Sequence, residues 1–589
     1  MVKSALHPPP GRWHSSHSAA PTSRYVTLNI MTTIIVTARS GTPAHMRSLA
    51  AVGTAMALAL TACGDNPDDR PAAGSTTTVV VLDNNPLGTY NPVNNHGRNG
   101  ESRIYQGLFR VQPGQPDTQP DITPLLAAGP AVPSDGNRTW TVRTRTGVTF
   151  SDGSPFGPDD VVTTYRALIN PAVASTELVR WQNLHTVDAT GPDEVTFRLK
   201  DPSPEFDRLL LTGIAPSERL DAEKATTPDA VPAKDSSLNT DPVGTGPYEL
   251  TDLRADQAIF EARDDYWGSV PAIGKIVIRH VEDENSRAQQ LPNGEGDGTL
   301  LDTRLSKAFD NNKDFTVSSR TSADWHAITL PAAHPFVGDQ TVRTALNLAI
   351  DRQALVDGAL DGHGTPNSTF LAPFYGNAYD KSKEIPFDRA HAEKLLDDAG
   401  WTRGSDGVRA KDGRRAEFDL IYFTNVGETR KLLALATTSE LDKIGVIAHP
   451  VAKNSADVSD EDYRTTPLVL GGGSQPYSID AQLYTVLHST FAEPGVGAKW
   501  DNASDYVNKE LDAALDAARV EPDAATRDAL YRKAQASYAA TPGMLQLAYV
   551  KHVYVSRDMG WKEPGVALEP HSHGVEFGPW YTIADWTAS

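Results

Sequence analysis

Few residues of this chain have types and spacings suited to catalysis. Gly472-Gly473-Ser474-Gln475 starts like a G-x-S-x-G nucleophile elbow but fails at the last position. No H-E-x-x-H pair of imidazoles occurs. His571-Ser572-His573 sets two imidazoles together, yet among Gly and Pro they fit a surface loop better than a metal site. The acidic pairs Asp159-Asp160 and Asp397-Asp398 fall at helix starts or on solvated faces, whereas glycosidase chemistry needs two carboxylates across a cleft. This inventory points away from an enzyme and asks for no cofactor or metal. Binding chemistry is better served, by three loops. The first offers Tyr90, Asn91, Asn94, Asn95 and His96; its plain alternative is a polar turn. The second is Trp325-His326, alternatively a core or hinge packing pair. The third runs from Gly471 to Tyr484, where glycines admit a close backbone approach and Gln475, Tyr477 and Asp480 can face a ligand. Its alternative is a surface loop.

One further residue has chemistry of its own. Cys63 is the only cysteine, and it stands directly after an apolar run, Leu49 to Leu60, that follows Arg47. That order is a secretory signal, and the run is short of the ~20 apolar residues that span a bilayer. Leu60-Thr61-Ala62-Cys63 resembles the bacterial lipobox, in which the cysteine is lipidated and becomes the new N-terminus. Two or three acyl chains then hold the protein at the outer side of the membrane, since one chain alone binds marginally. Residues 46–63 read as this signal, 64–76 as a flexible polar tether, and 1–45 as an untranslated or disordered extension, translation starting at or near Met46.

The totals agree with an exported binding protein. At 589 residues the chain exceeds one core and implies several domains. A single cysteine excludes internal disulfides. The net charge of −21 argues against nucleic acid, whose phosphates need a basic face.

The elements that must position the loops are legible locally. Thr77 to Leu82 is a β-branched strand, Trp140 to Arg145 alternates as a strand, and Glu194 to Lys200 does the same. A helix is expected after Gly100, with Ile104, Leu108 and Phe109 on one side. Another opens at Pro158 and buries Val161, Val162, Tyr165 and Leu168. Asp339 and Asp388 are placed to cap helices that bury Val342, Ala345, Leu346 and Ala349, and Leu395, Leu396 and Ala399. Leu511, Leu515 and Ala518 mark one further helix, and Leu530, Tyr531, Ala534 and Tyr538 the next. Gly244-Thr245-Gly246-Pro247 lacks the lysine of a phosphate loop and reads as a tight turn.

Six segments, in order, resemble one family. Trp140 to Tyr165 carries R-x-G-V-x-F, D-G-x-P and D-V-V; Pro242 to Tyr248 reads P-x-G-T-G-P-Y; Arg263 to Gly268 ends in Y-W-G. Val342 to Arg352, Asp388 to Trp401 and Leu511 to Arg532 follow with V-R-x-A-L-N-x-A-I-D-R, A-x-x-L-L-x-x-A-G-W and L-D-x-x-x-x-x-A-R. Together, over residues 77 to 550, they resemble the extracytoplasmic solute-binding proteins of ABC importers, in the peptide- and nickel-binding family. The resemblance implies an α/β fold of two lobes, of the type II periplasmic-binding-protein class in its large peptide-binding subclass, with an extra domain inserted in lobe 1. It implies a discontinuous first domain (77–112, 241–323 and 548–589), the inserted domain (113–240) and a second lobe (324–547), crossing near Ser322–Leu330 and Leu545–Tyr549. The implied function is capture of an oligopeptide or related small solute by a monomer, with closure and delivery to a membrane permease and its ATPase subunits. A regulator or ligand sensor of the same fold is the alternative. One departure matters: peptide-binding relatives place a carboxylate shortly after the glycine-rich strand end to meet the peptide amino group, and here Gln475-Pro476 stands there.

Overall fold

Strand Thr78–Asp83 organises the first lobe. It pairs in parallel with Lys275–His280 on one side and with Gly298–Leu301 on the other. Antiparallel neighbours extend this core to a seven-stranded mixed sheet, in the order 315–320, 552–557, 298–301, 78–83, 275–280, 257–262, 248–253. The computed structural model describes residues 77–94, 103–114, 117–473, 476–493, 495–571 and 576–589. A second, four-stranded antiparallel sheet is inserted in this lobe: Val132–Ser134, Thr139–Arg143, Glu194–Leu199 and Leu184–Gly191, in that spatial order. Helix Pro158–Ile169 packs on it as its spacing requires, with Tyr165 edge-on to Trp181 and Phe197 at 4.9 and 5.0 Å between ring centres. Pro158 fits the first turn because its missing N–H has no helical partner there anyway.

The helix expected after Gly100 is absent from the described part: residues 103–108 run irregularly into strand Phe109–Val111. Tertiary partners take their carbonyls. Gly246 N donates to Ile104 O at 2.7 Å and Tyr248 N to Arg103 O at 3.0 Å. The approach is close enough that a Cβ on Gly244 or Gly246 would lie 2.0 or 2.2 Å from those carbonyl oxygens. The Gly244–Pro247 turn therefore clamps this segment in its irregular path, its carbonyls accepting from the turn.

Two crossings carry the chain between the lobes. β1 (Phe315–Arg320) leads through residues 321–324 into β2 (Trp325–Thr329). β2 is flanked by β3 (Val469–Gly472) and by β4 (Met544–Val550), both antiparallel. β4 leads through Lys551 into β5 (His552–Arg557), which rejoins the first sheet between β1 and Gly298–Leu301. β2, β3, β4 and Gly364–Pro366 make the central sheet of the second lobe.

Helices cover that sheet, and their caps are local. Asp339 accepts from Thr341 N and Val342 N at the start of Gln340–Ala349, and Asp388 accepts from His391 N at the start of Arg389–Asp398. Gly400 follows with φ +85°, the left-handed turn that ends helices and favours glycine. Three more helices matter for the site: α1 (Ile479–Leu487), α2 (Lys509–Val520) and α3 (Ala524–Ala540).

Candidate functional site

The two crossings gather a buried charged cluster. Asp324, in the first crossing, is 4 % exposed. Its carboxylate lies 3.2 Å from His326 Nε2, 3.5 Å from His552 Nε2 and 2.6 Å from His571 Nδ1. His552 opens β5 and meets Glu569 through Nδ1 at 2.7 Å. Glu569 also accepts from Tyr554 Oη at 2.8 Å and from Gly578 N at 3.0 Å. Burial alone would lower the His552 imidazole, but hydrogen bonds to Asp324 and Glu569 more than offset it and push it up to about 9. Burial would likewise raise Asp324; the His326 and His571 imidazoles more than offset that and hold its carboxyl well below the usual range. His326 is lowered by burial, against the pull of Asp324. His552 therefore favours its charged form.

His326 pairs with Gly471 across β2 and β3. A Cβ on Gly471 would lie 2.9 Å from Arg430 Nη2, 3.1 Å from His326 Cε1 and 3.3 Å from His571 Cε1. The missing side chain thus admits three basic groups around one strand end. Arg430, second residue of helix Thr429–Asp442, is 7 % exposed and lies over the Phe423 ring at 4.9 Å. Among the described residues no hydrogen bond reaches its guanidinium, and burial lowers its pKa. A buried, unsatisfied guanidinium is costly unless an anion meets it.

The three loops flagged by sequence go to different places. Trp325 packs over Gly472 and edge-on to Phe370, 4.9 Å between ring centres. Tyr477 is 2 % exposed and enters the core of the first lobe. Its hydroxyl donates to Leu568 O at 3.2 Å, and its own carbonyl accepts from Gln119 Nε2 at 2.7 Å and Arg208 Nη1 at 3.3 Å. Asp480 pairs with Arg519 at 3.2 Å. Asn91 is buried and holds its turn, donating to Ala233 O and accepting from Val93 N. Asn94 ends the same turn, its N–H on Asn91 O. Tyr90 packs edge-on to Phe260. Tyr90 and Tyr477 line separate cavities of about 10 Å³ each, on either side of Glu576–Gly578; each has room for about one water. Asn95, His96, Gln475 and Cys63 lie outside the described residues.

Comparisons with known proteins fit this two-lobed frame. The profile "Bacterial extracellular solute-binding proteins, family 5 Middle" matches residues 121–494. The chain belongs to family 5 of the bacterial extracellular solute-binding proteins. Protein XP55 of Streptomyces lividans is 34% identical over 524 residues, 86% of this chain and 90% of that protein. The oligopeptide-binding protein AppA of Bacillus subtilis is 27% identical over 394 residues, 64% of this chain and 69% of that one. NikZ from Campylobacter jejuni, solved in complex with Ni(L-His), superposes with a TM-score of 0.75 at 25% identity, over 87% of this chain and 99% of that one.

Within the family 5 frame, three members of the cluster were not legible beforehand. Asp324, Glu569 and Arg430 sit in segments with no motif, and only the fold joins them. His571, expected in a surface loop, is half-buried and bonded to Asp324 and, through its N–H, to Gly473 O at 2.9 Å. The glycines Gly471 to Gly473 were the one usable signal. Among the described residues no group of His, Cys, Asp and Glu is disposed to hold a metal, and no helix is long and apolar enough to cross a membrane.

Proposed function

We propose that this chain is the substrate-binding component of an ABC importer, capturing an oligopeptide or related small solute through a carboxylate that meets Arg430. The observation that carries this reading is the buried guanidinium beside Gly471, which no hydrogen bond reaches among the described residues. Its relatives bind ligands of this kind: AppA is named for oligopeptides, and NikZ was solved with Ni(L-His), whose histidine carries a carboxylate. Gln475-Pro476 offers no acid to a peptide amino group, so recognition leans on the anionic end. Mass spectrometry of what co-purifies with the protein identifies the ligand, and calorimetry then measures its affinity. Arg430→Met is expected to weaken binding at least ~30-fold, because truncating one partner of a buried charge pair costs about 2–5 kcal/mol. Unchanged affinity in that variant overturns the reading.

The same proposal places the protein outside the cytoplasm, tethered by lipidated Cys63. Cys63→Ala should release it from the membrane fraction and abolish lipid labelling; a variant that stays bound and labelled refutes the anchor.

A second reading has one observation in its favour. Tyr477 seats its ring in the partner lobe, and the cavity it lines there is about 10 Å³. A junction filled by its own side chains suits a regulator or sensor. Absence of any co-purifying or titratable ligand, with Arg430→Met indistinguishable from the natural chain, would favour it.

A further inference from the structure

We propose that Glu205 is a latch that reaches from the first lobe onto the N-terminus of α1 in the second, and that protons tighten it through Asp480. Glu205 lies beyond strand Glu194–Leu199 of the inserted sheet. Its Oε2 accepts from Ser478 Oγ at 2.9 Å, and its Oε1 lies 3.6 Å from Arg527 Nε on α3. Both Glu205 and Arg527 side chains are 14 % exposed. Ser478 is the N-cap of α1, accepting from Ala481 N. The carboxylate therefore meets the positive end of the helix through the cap hydroxyl and meets Arg527 directly, two attractions of the same sign. The neighbouring contacts across this junction engage backbone groups: Gln119 N on Phe374 O at 2.8 Å, and Gln119 and Arg208 on Tyr477 O. Backbone carbonyls regain water on opening at little cost, whereas a charged pair loses more. Glu205 is thus a charged contact between the lobes at this junction, as Lys307–Asp361 at 2.6 Å is elsewhere between them.

Asp480 makes the latch sensitive to protons. It is the second residue of α1, two past the cap, and charged or titratable groups face it from its neighbours. These are Arg519 and Asp516 of α2, Tyr531 of α3 and Glu205 of the other lobe; Arg527 of α3 faces Glu205, and Tyr484 of α1 bonds Asp516. Burial pushes its carboxyl up to about 6; Arg519 opposes this, and Glu205 and Asp516 add to it. The side chain retains 22 % exposure, so solvent moderates the shift. Opening withdraws Glu205 and admits water, which returns Asp480 toward 3.8. The closed state then binds a proton more tightly than the open state. From pH 7.5 to 5.5 the closed-to-open ratio should rise by at most about fourfold.

This inference rests on the hinged two-lobed receptor but not on Arg430 or any ligand, so its failure is separable from theirs. Small-angle X-ray scattering of the purified chain, with no ligand added, tests it at both pH values. The natural chain should be more compact at pH 5.5 than at pH 7.5. Glu205→Ala should have a larger radius of gyration than the natural chain at both. Asp480→Asn should show no change with pH. Hydrogen exchange is the second measure: amides of 476–487 should exchange faster in Glu205→Ala while β1 and β5 keep their protection, which separates opening from misfolding. Scattering and exchange of Glu205→Ala identical to those of the natural chain would overturn the latch. A pH response that persists in Asp480→Asn, or is missing from the natural chain, would overturn the proton linkage.

Discussion

Replacing Asp324 by alanine should destabilise the protein by about 3–5 kcal/mol, the cost of stripping one partner from a buried charge network. Asp324 faces three imidazoles and is 4 % exposed. Without it, His552 keeps its bond to Glu569 but loses Asp324, and His571 loses its bond at the first crossing. The pH profile separates this from ordinary loss of packing. His552 is raised from 6.5 to about 9, so its contribution is complete below pH 6.5 and disappears as pH rises through 9. Asp324 is depressed below 3.8, so its share holds above that value and disappears only as pH falls through the folded one. His326 is lowered, so it adds a penalty as pH drops below 6.5. The natural chain should therefore lose stability in urea melts between pH 7 and 9.5. Asp324→Ala should show a much shallower alkaline limb over that range, since only the Glu569 part of the rise in His552 remains. A loss of under 1 kcal/mol, or an undiminished alkaline limb, would show that this cluster does not hold the crossings together.

What the sequence disclosed follows from how local each feature is. The caps at Asp339 and Asp388 and the apolar stripe of Val342, Ala345, Leu346 and Ala349 were readable because each involves neighbours within a few residues. The run after Gly100 misled because its apolar spacing was genuine; residues 103–108 instead surrender their carbonyls to a turn more than a hundred residues away. The two-lobed architecture was legible from the ordered motifs between Trp140 and Arg532 taken together. The candidate site was not. Asp324, Arg430, His552 and Glu569 each stand in unremarkable surroundings and converge on Gly471 only once β2, β3, β4 and β5 are assembled. Trp325 and His326 illustrate the difficulty: they are adjacent in the chain, and a strand must send them to opposite faces, one into a core and one onto the charged cluster.

Gly473 should tolerate alanine worse than the other glycines of its run suggest, with a loss of about 2–4 kcal/mol from strain and overpacking combined. Its φ of +123° is one that L residues rarely adopt, and a Cβ there would fall 1.9 Å from Ala323 O. That carbonyl belongs to the first crossing, and Ala323 N is itself tied to Glu569 O at 2.8 Å. The crossing cannot recede without dragging the segment that carries Glu569 and His571. Gly473 O in turn accepts from His571 N, so displacement on either side disturbs the same cluster. The substitution should therefore depress capture of the co-purifying ligand more than the stability loss alone accounts for. Gly358 is the control: it lies in helix Arg352–Ala359 with nothing within 4 Å of an added Cβ, and alanine there should stabilise by about 0.5–1 kcal/mol. Urea melts and calorimetry on both variants check this. If Gly473→Ala matches Gly358→Ala in stability and binding, the close approach of β3 to the first crossing is not what positions the site.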